Sequence, residues 1–331
     1  MMAGELFEKI SAGAISPDMP DCKAIVINLH NGEALFQSLS RLHSRMNYKV
    51  FVVYSTEKKL AQVLKKCREA NLPAIVYGGN LDSIAATLPK TEFSLSMVSS
   101  GYCANDSDRA AIEDLIYLPN LDEFSYIGYQ GYLTSSSFLN SLHDRYFQEL
   151  RLGLLRENIS LCEPMLRSCD RHLFDLNSLR YSDFPHAANG NPNGLYAEEA
   201  CSVARYMGLS VKVSAFYLYG LTEVADNKVC NNLVAQIIWH ICEGIQTNIT
   251  ENPYDSEQEG KFMRKIVNFG EKGDEIVFIN STTTDRWWME VPASGNKNNK
   301  LIPCSFSDYK TACIGEVPMK WLFFYQKYSI L

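Results

Sequence analysis

The sequence predicts an α/β protein of three layers, helix, sheet and helix, around a mainly parallel sheet, with an aromatic-rich C-terminal extension. Short, continuous apolar runs recur over the first 250 residues. Such strands are apolar on both faces and must be covered on both faces. The segments between them carry apolar residues three and four apart, the spacing of helices that supply this cover. After about residue 250 the pattern changes, which predicts two parts: residues 1–250 as the α/β domain, and 251–331 as an extension packed on it.

The elements follow in order. "CKAIVINLH" (22–30) is a strand, followed by a helical stretch with Leu35, Leu39 and Leu42. "KVFVVYS" (49–55) precedes "EKKLAQVLKKCREA" (57–70), where Leu60, Val63, Leu64 and Cys67 share one helical face. Further strands are "PAIVYGG" (73–79), "FSLSMVSS" (93–100), "FSYIGYQG" (124–131), "RHLFDLN" (171–177) and "VKVSAFYLYG" (211–220). Helical patterns cover 138–149, 154–168, 195–207 and 228–246. Beyond them, "ENPYDSEQEG" is a polar loop, and "DEIVFINSTTTDRWWMEVP" (274–292) is a strand running into an aromatic turn. "ASGNKNNK" (293–300) is a loop or hairpin tip. The closing "WLFFYQKY" must dock, because Trp321, Leu322, Phe323, Phe324 and Tyr325 left free would expose a large apolar patch.

Composition removes several functional classes. The net charge of −7 gives no basic surface for nucleic acid. The most apolar stretch, "LVAQIIWHICEGI" (233–245), carries His240 and Glu243 and is too short to span a bilayer, so no membrane partner is expected. The N-terminal stretch has no basic start and no long apolar run, which makes cytoplasmic residence the expectation. Ten cysteines without CxxC spacing read as small buried hydrophobes in a reducing compartment, not as disulfides or a zinc cluster.

In parallel α/β sheets ligands sit beyond the carboxyl ends of the strands, so those loops carry the functional candidates. "LFDLNSLRYSDFP" (173–185) is the most informative. Residues two apart at a strand end share a face, where paired carboxylates can grip a metal. Here Asp175 is followed by Asn177, an amide.

This segment, with "NPNGLYAEEACSVARYMGL" and "VSAFYLYGL" after it, resembles the ureohydrolase superfamily of arginase, agmatinase and formimidoylglutamase. "PAIVYGGNLDS", "FSLSMVSSGYC" and "YIGYQGY" resemble its upstream strand ends, and the tail with "DRWWMEVP" is similar to a divergent bacterial formimidoylglutamase-like branch. The resemblance spans roughly residues 22–250 and implies an arginase-like fold. It also implies two manganese ions held by four aspartates and two histidines, activating one water for hydrolysis of a linear amidine or guanidine.

Carried over residue by residue, the ligand set is depleted. Asn80 stands at an aspartate position and Leu81 at a histidine position; Ser99, Gly101 and Cys103 replace an aspartate–histidine–aspartate run. Asp175 persists beside Asn177, Arg180 takes the place of a third aspartate, and Gly220 replaces a late glutamate. The strand-end segments hold no histidine before His186. The candidate pocket residues are therefore Asn80, Asp82, Ser99, Cys103, Asp175, Asn177, His186 and Glu199, with no catalytic residue and no metal ligand assigned. Each has a bland alternative: Asp82 as a helix N-cap, Cys103 as filler, Glu199 as a first-turn acid. Asp183, conceivable as a rebuilt site acid, reads first as a turn former before Phe184 and Pro185, and His143, His172 and His240 read as structural.

Two functions fit. One is a catalytically silent arginase-like protein that needs no cofactor, kept as a scaffold or as a binder of a small molecule in the vestigial pocket. The other is a divergent C–N hydrolase with a rebuilt site or a metal-free Cys103 mechanism. The resemblance also implies a homo-oligomer, a trimer or its multiple, and leaves room for a protein partner.

Overall fold

The computed structural model describes residues 6–19, 21–30, 32–44, 48–101, 106–186, 190–221, 227–269, 274–294 and 299–330. The chain divides into two compact units, one of residues 1–143 and 147–248 and a second of 144–146 and 249–331.

The apolar runs of the first unit form nine strands: β1 Phe7–Lys9, β2 Cys22–Asn28, β3 Lys49–Tyr54, β4 Ala74–Tyr77, β5 Phe93–Val98, β6 Leu121–Tyr129, β7 Gln148–Arg151, β8 Arg171–Asp175 and β9 Ala215–Tyr219. They pair in the order β1-β3-β2-β4-β9-β8-β5-β6-β7, and every pairing is parallel. The central strands are buried along their length, β4, β5, β8 and β9 at every residue. Helices Ala197–Gly208 and Lys228–Thr247 cover one face through Val203, Ile237 and Ile238, within a core that includes Phe174 and Phe216. On the other face, helices Glu57–Glu69 and Leu81–Ala85 supply Leu60 and Ile84 to a core with Leu95, Met97 and Tyr217.

Three details differ from the sequence reading. The segment 138–149 is a helix only to Asp144; its end belongs to β7, a half-exposed edge strand. The segment 154–168 breaks into helix Leu152–Glu157, a 3₁₀ turn Ile159–Cys162 and a short helix Glu163–Leu166. Pro164, which cannot donate to a preceding turn, sits at the start of that last piece, and Asn158 caps the turn through Ser160 N–H. Strand β1 had no apolar signal, since only Phe7 of its three residues is buried.

The strand order creates two places where consecutive connections leave in opposite directions. From β2 the chain moves outward to β3, then returns to β4 on the far side of β2; from β5 it moves outward to β6 and β7, then returns to β8 on the far side of β5. Such reversals open crevices at the carboxyl ends of the strands.

The second unit is an antiparallel sheet, β10 Phe262–Phe269, β11 Asp274–Ser281, β12 Trp287–Val291 and β13 Lys300–Cys304, in sequential order, followed by helices Phe306–Cys313 and Met319–Ile330. Strands β12 and β13 pair antiparallel; residues 295–298, within the loop expected at 293–300, lie outside the described residues. The unit has its own core of Ile276, Phe278, Trp287, Met289, Trp321 and Phe324. The tail is docked there: Trp321 is buried and its indole N–H donates to the Glu290 carbonyl at 3.0 Å.

Among the described residues, no helix is long and apolar enough to cross a membrane.

Candidate functional site

At the β5/β8 reversal, Val98 pairs with Phe174, which sets the next residues, Ser99 and Asp175, side by side. Ser99 Oγ donates to Asp175 Oδ2 at 3.2 Å, and Gly101 N–H donates to Ser99 Oγ at 3.3 Å. Asp175 Oδ1 accepts Asn177 N–H at 2.9 Å, capping the 3₁₀ turn Leu176–Ser178. Asn177 Nδ2 in turn donates to the Gly220 carbonyl at 2.8 Å. Gly220 has φ +96°, a conformation that favours glycine, and a Cβ there would lie 2.4 Å from Asp175 Oδ1 and 2.7 Å from Asn177 Nδ2. The side-chain space at position 220 is therefore filled by Asp175 and Asn177 themselves. With Ser99 fully buried and Asp175 5% exposed, the pair offers a substrate almost no surface to meet.

The expectation that the strand-end segments hold no histidine before His186 is corrected: His30 lies two residues past β2, at the other reversal. Its backbone N–H donates to Asn28 Oδ1 at 2.9 Å, and its ring meets Tyr77 edge-on at 4.8 Å. The ring presses on Gly78, where a Cβ would stand 2.6 Å from Nε2. That Nε2 is buried without a hydrogen-bond partner among the described residues, and burial lowers the imidazole pKa. His30 was visible as the last residue of "CKAIVINLH"; what the sequence lacked was the β2/β4 adjacency.

The remaining candidates hold structural posts. Asn80 caps helix Leu81–Ala85, its Oδ1 accepting Ser83 N–H at 2.8 Å while Ser83 Oγ accepts Asn80 N–H at 3.1 Å. Asp82, the cap suggested by sequence, is instead an exposed residue of the first turn. Glu199 closes a second capping box on Tyr196 N–H at 2.9 Å and pairs with Arg156 Nε at 3.1 Å. Arg180 pairs with Asp183 at 2.7 Å, and Asp183 also accepts Ala197 N–H. Burial alone would raise the Asp183 pKa, but these two bonds, a third from the Ser182 hydroxyl and the Arg180 charge together lower it. The Arg180 charge is thus met locally, and Tyr196 lies between the Arg156 and Arg180 guanidinium groups, 4.4 and 4.3 Å from its ring centre. His186 is half-buried, its main chain bonded to the Cys230 thiol. Cys103 lies outside the described residues.

Among the described residues, no three His, Cys, Asp or Glu side chains group closely enough to hold a metal ion. At the matched positions among the described residues the available donors are the buried Ser99 hydroxyl, the Asp175 carboxylate and the Asn80 and Asn177 amides. Manganese asks for an oxygen-rich, roughly octahedral set, which these residues do not make. Beside Gly101 lies an open cavity of ≈ 270 Å³ lined by Ile112 and Glu113, Tyr126 of β6, the 132–135 segment and Phe138, residues that the sequence did not single out.

No protein-family model matches the sequence, and no curated protein does. In three dimensions the chain is similar to the manganese-bound formiminoglutamase of Trypanosoma cruzi, with a TM-score of 0.56 and 16% identity over 70% of this chain and 96% of that one. It is also similar to formimidoylglutamase from Bacillus subtilis, with a TM-score of 0.58 and 13% identity over 74% and 92%. A third similar structure is a quadruple mutant of an arginase-like protein from T. brucei, with a TM-score of 0.52 and 9% identity over 69% and 91%. The fold is that of the arginase superfamily.

Proposed function

We propose that this arginase-fold chain is a non-catalytic binding or scaffold protein that does not perform two-metal hydrolysis. The carrying observation is the state of Asp175, the one carboxylate left at a matched ligand position. Its oxygens take hydrogen bonds from Ser99 and Asn177, and the neighbouring side-chain space at Gly220 is closed.

Charge supports the reading. Two divalent ions about 3.5 Å apart at an effective dielectric near 20 repel by about 19 kcal/mol, which several carboxylates and a bridging hydroxide must offset. Asp175 alone, beside neutral Ser99, Gly101 and Asn177, supplies too little. The T. brucei protein is instructive: its quadruple mutant changes three serines to aspartate and one arginine to histidine, three of the four at alternate positions. Ser99, Gly101 and Cys103 here have that alternate spacing and equally lack the acid–imidazole–acid pattern.

The test is turnover. Purified protein incubated with manganese should hydrolyse neither arginine, agmatine nor formiminoglutamate. Saturable release of urea or formamide, lost in Asp175→Ala, would instead establish the alternative, a divergent hydrolase of linear amidines.

A further inference from the structure

The outer edges of the two sheets are unequally guarded against pairing with another chain. Strands β1 and β7 are three and four residues long, and β13 carries Pro303, which has no N–H to donate. Strand β10 has neither device: its register with β11 runs unbroken over eight residues, without proline or bulge. Thr282 N–H donates to the Lys261 carbonyl at 2.9 Å, one step before the Phe262–Ser281 pair. Hydrogen-bonded pairs alternate along an antiparallel ladder, so Met263, Lys265, Val267 and Phe269 bond to β11. Phe262, Arg264, Ile266 and Asn268 therefore turn their main-chain N–H and C=O groups outward. That edge is open: Ile266 is 61% exposed and Met263 46%, with Arg264 and Asn268 also exposed. Its two charges do not screen it. Arg264 is drawn to Glu290 at 2.6 Å, and Lys265 lies over the Trp287 and Tyr309 rings, 5.8 and 5.4 Å from their centres.

We propose that β10 is a docking edge for β10 of a second copy of this chain, paired antiparallel about a two-fold axis at Ile266. In that register Ile266 meets itself, Arg264 faces Asn268 and Lys265 faces Val267, so no like charges stand opposite each other. Centred one or two residues earlier, the pair would set Lys265 or Arg264 against itself, which is destabilising. The outward main-chain groups of Arg264, Ile266 and Asn268 then bond to those of Asn268, Ile266 and Arg264 in the other copy. A strand that matches its own copy is the self-complementary surface a two-fold contact requires, and such a contact doubles whatever assembly the rest of the chain forms. The proposal goes beyond the non-catalytic reading and does not depend on it, because neither metal nor turnover enters the measurement.

Light scattering of the full chain at micromolar concentrations tests it, and the expected mass is an even multiple of 37.4 kDa. Ile266→Pro removes an outward N–H and leaves the β11 ladder intact, so it should melt near the parent's temperature and show half the parent's mass. Ile266→Lys, which opposes like charges at the axis, should halve the mass as well and decides the matter where the proline variant fails to fold. Ile266→Cys should cross-link between chains under diamide, since hydrogen-bonded pairs hold their Cα atoms about 5.5 Å apart, within disulfide reach. Met263→Cys should not, because its two copies would lie about 20 Å apart along the paired strands. A parent mass at an odd multiple of the chain, a folded Ile266→Pro or Ile266→Lys protein that keeps the parent's mass, or equal cross-linking of the two cysteine variants would each overturn the assignment.

Discussion

Replacing Gly220 with alanine adds one methyl group to the place where the β8 and β9 strand ends meet. The added Cβ would lie 2.4 Å from Asp175 Oδ1 and 2.7 Å from Asn177 Nδ2, so something must shift. A non-glycine residue at φ +96° costs on the order of 1–3 kcal/mol before any contact is considered. Moving Asp175 to make room weakens its bond to Ser99 or Asn177, and a hydrogen bond to a charged group contributes about 1.5–3 kcal/mol. The expected loss is roughly 3–5 kcal/mol, read as a shifted midpoint in urea unfolding with an unchanged slope. The same substitution in an Asp175→Ala background should cost less, because the closest contact is gone; a coupling of at least about 1 kcal/mol is expected for residues in direct contact. A Gly220→Ala protein within about 0.5 kcal/mol of the parent, the range of an ordinary surface change, would refute the closed-cradle argument.

Other consequences can be checked in parallel. Trp321→Ala should destabilise the second unit by about 3–5 kcal/mol, as for other buried tryptophans, and an unchanged melting profile would contradict the docking of the tail. His172, buried in β8 between Phe216 and Ser96 Oγ, is held neutral by burial and by the Arg171 charge, its pKa pushed down to about 3 from 6.5. The unfolded chain takes up the proton first, so this contribution is full above pH 6.5 and is lost towards pH 3 at roughly 1.4 kcal/mol per unit. His172→Phe should flatten that acid limb in urea midpoints measured at several pH values, and an identical slope would reject the assignment. Self-association as a trimer or its multiple is proposed from the fold's kinship, and a light-scattering mass near the 37.4 kDa chain across micromolar concentrations would overturn it.

The central strands were legible because runs such as "KAIVIN" are apolar on both faces, a pattern parallel sheets impose. Strands β1 and β7 were not, because three- and four-residue edges with one buried position carry no such run. In the second unit, β10 mixes Arg264, Lys265 and Asn268 into its apolar residues, and its pairing with β11 is fixed only in three dimensions. Spacing alone put Asp175 and Asn177 on one face at a strand end, and the family resemblance supplied their reading as a depleted metal motif. What those residues do instead was not, since Ser99 and Gly220 reach them across 76 and 43 positions of chain. His30 was missed for the same reason: its neighbour Gly78 becomes its neighbour only through the β2/β4 pairing. The cavity beside Gly101 likewise joins a helix and a loop that no periodicity connects.

The central claim is that the Asp175 carboxylate serves the protein and not a metal pair. Manganese content of the purified chain, after loading with excess manganese and exhaustive dialysis, tests it most directly. The account predicts no stoichiometric manganese, with the same result for Asp175→Asn. Two equivalents retained per chain, falling in Asp175→Asn, would contradict it.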